Sequence, residues 1–276
     1  MCWPPKVPAL ANDEVKPAFS QVKQFGRASL GLRDAVLTML YPMACRVCSA
    51  MVESWRDGIA CESCWLEAEL RLAQNELCAK CGLPLPPLPS YIATDERRCG
   101  RCDHLSFTRA RTCGVYEGAI RESVLWLKRR PQIAPRLREL LRTAFADLDG
   151  KQQIESIIPV PLHPNRFAER TFNQSEIIAR ALAVISGLRM DTASLVRIKH
   201  TEKHRAGMAA RERASSLEKA FHVRAPRLIE GKAVLLVDDV MTTGSTADAI
   251  SQTLLDGGAR TVCVLTLARA ASEFVL

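Results

Sequence analysis

Two segments near the end of the chain, "KAVLLVDD" (232–239) and "RTVCVLTLAR" (260–269), are runs of apolar β-formers in which hydrophobic and polar residues do not alternate. A strand with one wet face alternates with period two. A run that does not alternate is covered on both faces, as in a parallel sheet held between helical layers. Helix-period stretches precede and separate these runs: "YEGAIRESVLWLKRR", "APRLRELLRTAFADL", "NQSEIIARALAVISG" and "STADAISQTLLDGGA". The third opens on Asn173, carries Glu176 three residues on and stops at Gly187, which are start and stop signals for a helix. "IESIIPVPL" (154–162) predicts a strand running into a proline-broken loop. Strands alternating with helices predict an α/β fold with a parallel, three-layer sheet. A hydrophobic content of 47% over 276 residues is enough to fill its core.

Residues 45–102 have a different character. Of the eleven cysteines, eight fall there in four Cys-x-x-Cys pairs: Cys45/Cys48, Cys61/Cys64, Cys78/Cys81 and Cys99/Cys102. Such pairs each place two thiolates on one tetrahedral zinc, and the intervening gaps suit ribbon hairpins that return with two more. Two Zn²⁺ ions are expected, each held by four cysteines and therefore closed to substrate and structural. Sequential pairing (45/48/61/64 and 78/81/99/102) is the simpler arrangement, with a cross-braced one left open. Metal-type pairs in place of a disulfide framework point to a cytoplasmic protein. Cys2, Cys113 and Cys263 are left over, and Cys263, inside a buried strand, is expected to be inert. The expected organisation is a tail with an amphipathic helix (1–40), a double zinc ribbon (41–112) and an α/β domain (113–276).

No stretch reaches the roughly 18 consecutive apolar residues of a membrane span, so the protein is not expected to span one. Residues 21–41 predict an amphipathic helix whose Leu30, Val36, Leu37 and Leu40 dock on the protein's own body. The formal charge of +8 and a pI near 9.0 favour anionic partners. No aromatic-interleaved basic stretch marks a nucleic-acid platform. The charged segment 199–219 has few large apolar residues and is expected to be a mobile surface segment.

"VLLVDDVMTTGST" (234–246) carries the chemistry. Its strand is expected to end on Asp238 and Asp239 at the carboxyl edge of the sheet, where α/β proteins bind ligands. Two adjacent carboxylates there accept hydrogen bonds from a vicinal diol and can sit near Mg²⁺. Thr242, Thr243, Gly244, Ser245 and Thr246 then open a helix, whose first N–H groups and hydroxyls form a cup for a monophosphate. Together these make a grip for a ribose 5-phosphate. The Lys of a P-loop is missing.

This segment resembles the phosphoribosyl pyrophosphate (PRPP) motif of type I phosphoribosyltransferases. The wider chain is similar to the ComF family in its cysteine pairs, "GVYEGAIRESVLWLKRR", "IIPVPLHPNRFAERTFNQSEIIARAL", "HRAGMAARERASSLEKAFHV" and the closing "VLTLARA". The resemblance implies a type I phosphoribosyltransferase-like sheet with helices on both faces behind a zinc-ribbon module. It also implies PRPP and Mg²⁺ as ligands, an unknown base or amine as acceptor, and involvement in DNA uptake during natural transformation. By the same resemblance Asp238 and Asp239 hold the ribose and act in catalysis, and 242–246 hold the 5′-phosphate. The loop with Val160, Pro161 and Leu162 meets pyrophosphate through backbone amides, with Arg166 and Arg170 beyond it. Lys199, Lys203, Arg205 and Arg211, in a loop that closes over the site, counter pyrophosphate charge. Thr171 stands where the family usually has glycine, which leaves open how far the backbone bends there. A PRPP-sensing regulator without catalysis and a competence factor handling single-stranded DNA are the alternatives.

Overall fold

The computed structural model describes residues 31–86, 97–162, 171–198 and 220–270. Helices α1 (Gly31–Leu40) and α2 (Glu62–Ala73) precede a short hairpin of β1 (Glu76–Leu77) and β2 (Pro84–Leu85). Then come β3 (Arg109–Val115), α3 (Gly118–Leu127), α4 (Pro135–Gln152), β4 (Ser156–Pro159), α5 (Gln174–Ser186) and β5 (Arg189–Met190). A hairpin of β6 (Leu195–Arg197) and β7 (Phe221–Val223) leads to β8 (Ala233–Met241), α6 (Ser245–Asp256) and β9 (Thr261–Arg269). Five strands form one parallel sheet in the order β3-β9-β8-β4-β5.

The non-alternating runs are β8 and β9, and their residues divide between two faces. Leu235, Val237, Cys263 and Leu265 pack into a layer with α3, α4 and α5, whereas Val234, Leu236, Val262 and Val264 pack into a layer with α6 and the β6–β7 hairpin. Each is almost completely buried, which stabilises the sheet by about 1.5–3 kcal/mol per large side chain. The predicted caps of α5 are present: Asn173 accepts from the Ser175 N–H at 3.0 Å, and Gly187 closes the helix at φ +74°.

The cysteine region clasps the sheet at its β3 edge. Cys45, Cys61 and Cys64 belong to the layer of α3–α5, and Cys78, Cys81 and Cys102 to the opposite layer. Between them the Ala110 N–H donates to the Lys80 carbonyl at 2.6 Å, and Arg111, paired with Asp147 of α4, also reaches the Ala79 carbonyl. A side chain at Gly82 would place its Cβ 2.9 Å from the Ala110 carbonyl oxygen, so glycine is required where the ribbon crosses this edge. An otherwise open strand edge is thereby covered.

The docking expected of the first helix is corrected. Val36, Leu37 and Leu40 are exposed (47, 36 and 66%), and Leu30 lies outside the described residues. The helix is attached instead by its polar side: Ser54 donates to Asp34 (2.7 Å), and the Trp55 N–H donates to Thr38 Oγ1 (3.2 Å). Among the described residues, no helix is long and apolar enough to cross a membrane.

Candidate functional site

The strand expected to end on the two acids runs on to Met241. Val240 and Met241 stay in register with Ala268 and Arg269 of β9, and the Arg269 guanidinium, itself buried, donates to the carbonyls of Met241 (3.1 Å) and Thr242. The acids therefore sit within the last turn of strand pairing, on a fixed backbone. The chain then turns at Gly244, whose φ of +88° is left-handed, and α6 begins at Ser245. Asp238 and residues 242–246 line one cavity of about 100 Å³ at the carboxyl edge of the sheet. Thr243 and Ser245 hydroxyls lie 2.8 Å apart at its rim.

The two carboxylates have different surroundings. Asp238 is partly buried and accepts from the Ser175 hydroxyl and the Asp239 N–H, both at 2.9 Å. Burial, then the Asp239 charge, push its pKa up to about 7. Asp239, also partly buried, lies 3.5 Å from the Lys128 ammonium just beyond α3. Neither acid is turned inward onto an arginine among the described residues.

The neighbouring loop is tied to the same place. Val160 donates its N–H to Val237 (2.9 Å), and its carbonyl accepts from Asn173 (3.0 Å) at the start of α5. Pro161 and Leu162 are half-buried beside it. Arg166, Arg170, Lys199, Lys203, Arg205 and Arg211 lie outside the described residues. Thr171 takes φ +63°, so at the position where the family usually has glycine the bend is made by threonine in the left-handed region. A β-branched residue there costs about 1–2 kcal/mol. Thr171→Gly is expected to raise stability in urea by about 1 kcal/mol, the strain relief being partly offset by glycine's unfolded-state entropy.

The cysteines form two compact groups, 45/48/61/64 and 78/81/99/102, with all sulfurs of a group within 4.8 Å of one another. A tetrahedral ion with Zn–S bonds of about 2.3 Å sets sulfurs roughly 3.8 Å apart. The observed Cys48–Cys61 (3.6 Å), Cys78–Cys102 (3.5 Å) and Cys81–Cys99 (3.6 Å) separations fit that ion. Amides of Cys81 (3.5 Å) and Cys99 (3.3 Å) point at the Cys78 sulfur. The Cys81 thiol bond and these amides pull Cys78 down to about 4 against its burial, and the same bond with burial pushes Cys81 up. Protons alone leave such a group unevenly charged; a dication lets all four ionise.

A Double zinc ribbon domain family matches residues 36–103, and a Phosphoribosyl transferase domain family matches residues 173–274. The chain is 34% identical over 237 residues to "DNA utilization protein YhgH" of Salmonella typhimurium, covering 83% of this chain and 97% of that protein. It is 31% identical over 215 residues to "Competence protein F" of Haemophilus influenzae, covering 73% and 93%. The chain belongs to the ComF family. A more distant member, "Competence protein ComFC" of Bacillus subtilis, is 23% identical over 243 residues, covering 83% and 96%.

In this ComF chain the fold brings three further groups to the site that no sequence motif marked: Ser175 and Lys128 at the acids, and Arg269 at the carbonyls of Met241 and Thr242. Each lies in a segment already noted, yet no local pattern gives its partner. No aromatic stands within a basic stretch of the sequence that marks a nucleic-acid platform. The tertiary structure assembles one, because Arg46 of the first ribbon lies over the Trp126 ring (4.5 Å), as does Arg130 (4.9 Å), two residues from Lys128. The first ribbon thus meets α3 through Arg46, and Leu105 and Phe107, which follow the second cysteine group, lie against Gly244. Cys113 and Cys263 are buried thiols whose pKa values burial raises, Cys263 to about 11, as expected of inert packing.

Proposed function

We propose that this ComF chain binds PRPP with Mg²⁺ and transfers its phosphoribosyl group to a nitrogen acceptor, in the service of DNA uptake. The observation that carries the proposal is the crevice in which two adjacent acids stand beside a hydroxyl-rich loop opening a helix. Asp238 and Asp239 accept the ribose hydroxyls, and the first turn of α6 with residues 242–246 takes the 5′-phosphate. The Val160 amide is committed to the sheet and Pro161 has none, so Leu162 offers the amide of this trio to pyrophosphate, assisted by Arg166, Arg170, Lys199, Lys203 and Arg205. Mg²⁺, bound with the diphosphate, supplies charge neutralisation for the leaving group. The chain's own part is to hold the sugar while C1′ becomes oxocarbenium-like and to receive a proton from the incoming nitrogen. Asp238, with a pKa near 7, is matched to that proton transfer. The zinc-ribbon module forms the hood over the acceptor.

The test is a calorimetric titration with PRPP and Mg²⁺, followed by pyrophosphate release across a panel of bases and amines. Micromolar binding and release with one acceptor class are expected. No binding at millimolar PRPP refutes the proposal, and tight binding without release for any acceptor favours the PRPP-sensing regulator.

The cluster of Arg46, Trp126, Lys128 and Arg130 favours a second reading, contact with single-stranded DNA on this flank. Arginines beside an aromatic ring track phosphates while bases stack. Replacing Arg46 and Arg130 by Ala together is expected to weaken oligonucleotide binding several-fold at low salt and to flatten its salt dependence by about one to two counterions. Unchanged affinity and slope would dismiss this surface.

A further inference from the structure

The segment leaving the second cysteine group runs straight to the phosphate loop. Cys102 belongs to that group, and its carbonyl accepts the Leu105 N–H at 3.1 Å. Lys80, between Cys78 and Cys81, closes the same turn: its ammonium donates to the carbonyls of Asp103 (3.2 Å) and Leu105 (2.6 Å). Leu105 and Phe107, both buried, then press on Gly244, where an added Cβ would lie 3.2 Å from Leu105 Cδ1 and 3.9 Å from Phe107 Cε1. Between them Ser106 is fastened to α6, its N–H to Asp248 Oδ1 (2.6 Å) and its hydroxyl to Gln252 Oε1 (3.0 Å). Asp248 lies in the first turn of that helix. A strut from 102 to 107 therefore meets both the left-handed glycine and the helix start it precedes.

We propose that metal occupancy of the second four-cysteine site and phosphate-monoester binding at residues 242–246 are coupled through this strut, each raising the affinity for the other. With its four thiolates joined by a dication, the Cys102 turn has one geometry, and Leu105 and Phe107 hold Gly244 at its φ of +88°. Without the ion the turn loses its cross-link, and the left-handed loop loses the packing that over-determines it. Linkage makes the effect reciprocal. The coupling rests on the phosphate-binding role proposed for this loop and adds its regulation. The first cysteine group, in the opposite layer, provides the comparison.

The experiment uses the full chain loaded with zinc and ribose 5-phosphate as the probe. Saturating ribose 5-phosphate is expected to slow extraction of one of the two zinc ions by a chelator at least about fivefold, a typical lower bound for coupled sites. Cys99→Ser is expected to weaken ribose 5-phosphate binding at least about fivefold more than Cys48→Ser does. Leu105→Ala should keep both ions and lose the protection. Equal extraction rates with and without the probe, or equal effects of the two cysteine variants, overturn the coupling. If Cys99→Ser fails to fold, the extraction rates of the unaltered chain and of Leu105→Ala decide. Failure of the unaltered chain to bind millimolar ribose 5-phosphate removes the phosphate-binding role and the coupling together, whereas binding without protection removes the coupling alone.

Discussion

Replacing Asp238 and Asp239 together by asparagine is expected to abolish PRPP binding, a loss of at least about 100-fold, while leaving the fold intact. Charge-assisted hydrogen bonds to a ribose diol contribute about 1.5–3 kcal/mol each, so losing two corresponds to about two decades of affinity or more. The fold survives because neither carboxylate supports the core. Asp238 is a burden on it: burial and the Asp239 charge raise its pKa from 3.8 to about 7. The folded chain then binds that proton more tightly than the unfolded chain. Its contribution favours folding below about pH 4 and is lost as pH rises through 7. Asp238→Asn alone should therefore melt higher than the unaltered chain at pH 8, with the gap narrowing at pH 5. Melting curves at both pH values, with calorimetry for PRPP, check the two halves. Undiminished PRPP affinity would remove the diol grip, and a gap independent of pH would remove the account of Asp238.

Cys78→Ser is expected to have the largest effect on stability. Its sulfur is fully buried, lies 3.5 Å from that of Cys102, and receives the amides of Cys81 and Cys99. Serine at that position leaves three thiols and an incomplete tetrahedron. Metal analysis should fall from two zinc ions per chain to one, and the second ribbon should lose its cross-link. Because this ribbon covers the β3 edge through Lys80 and packs beneath Gly244, the loss should spread into the sheet. A destabilisation of about 3–5 kcal/mol, or roughly 10 °C in Tm, is expected. Two zinc ions remaining in Cys78→Ser, or none in the unaltered chain, would contradict the assignment.

What could be read in the sequence was chemistry confined to one segment. Cysteine spacing assigned eight ligands to two groups, and the simpler sequential pairing is the one observed. Non-alternation in 234–237 and 262–265 marked strands covered on both faces, and Asn173 and Gly187 marked the ends of a helix. The polar attachment of α1 was not legible, because amphipathic periodicity says that a face is apolar without saying what covers it. Nor was the left-handed bend at Thr171, since propensity argues against threonine there and only the surrounding loop imposes it.

By itself, then, the sequence determined the α/β class, the two four-cysteine groups, and the placing of two acids and a hydroxyl-rich loop at a strand's end. Each of these depends on neighbours a few residues away or on a spacing that the chain carries locally. Only the tertiary structure decided that Ser175 and Lys128 meet those acids, that Arg269 pins the loop carbonyls, and that one ribbon lies on each face of the sheet. Those contacts join residues 46 to 126, 106 to 248 and 175 to 238. They follow from strand order and layer packing, quantities that no local periodicity contains.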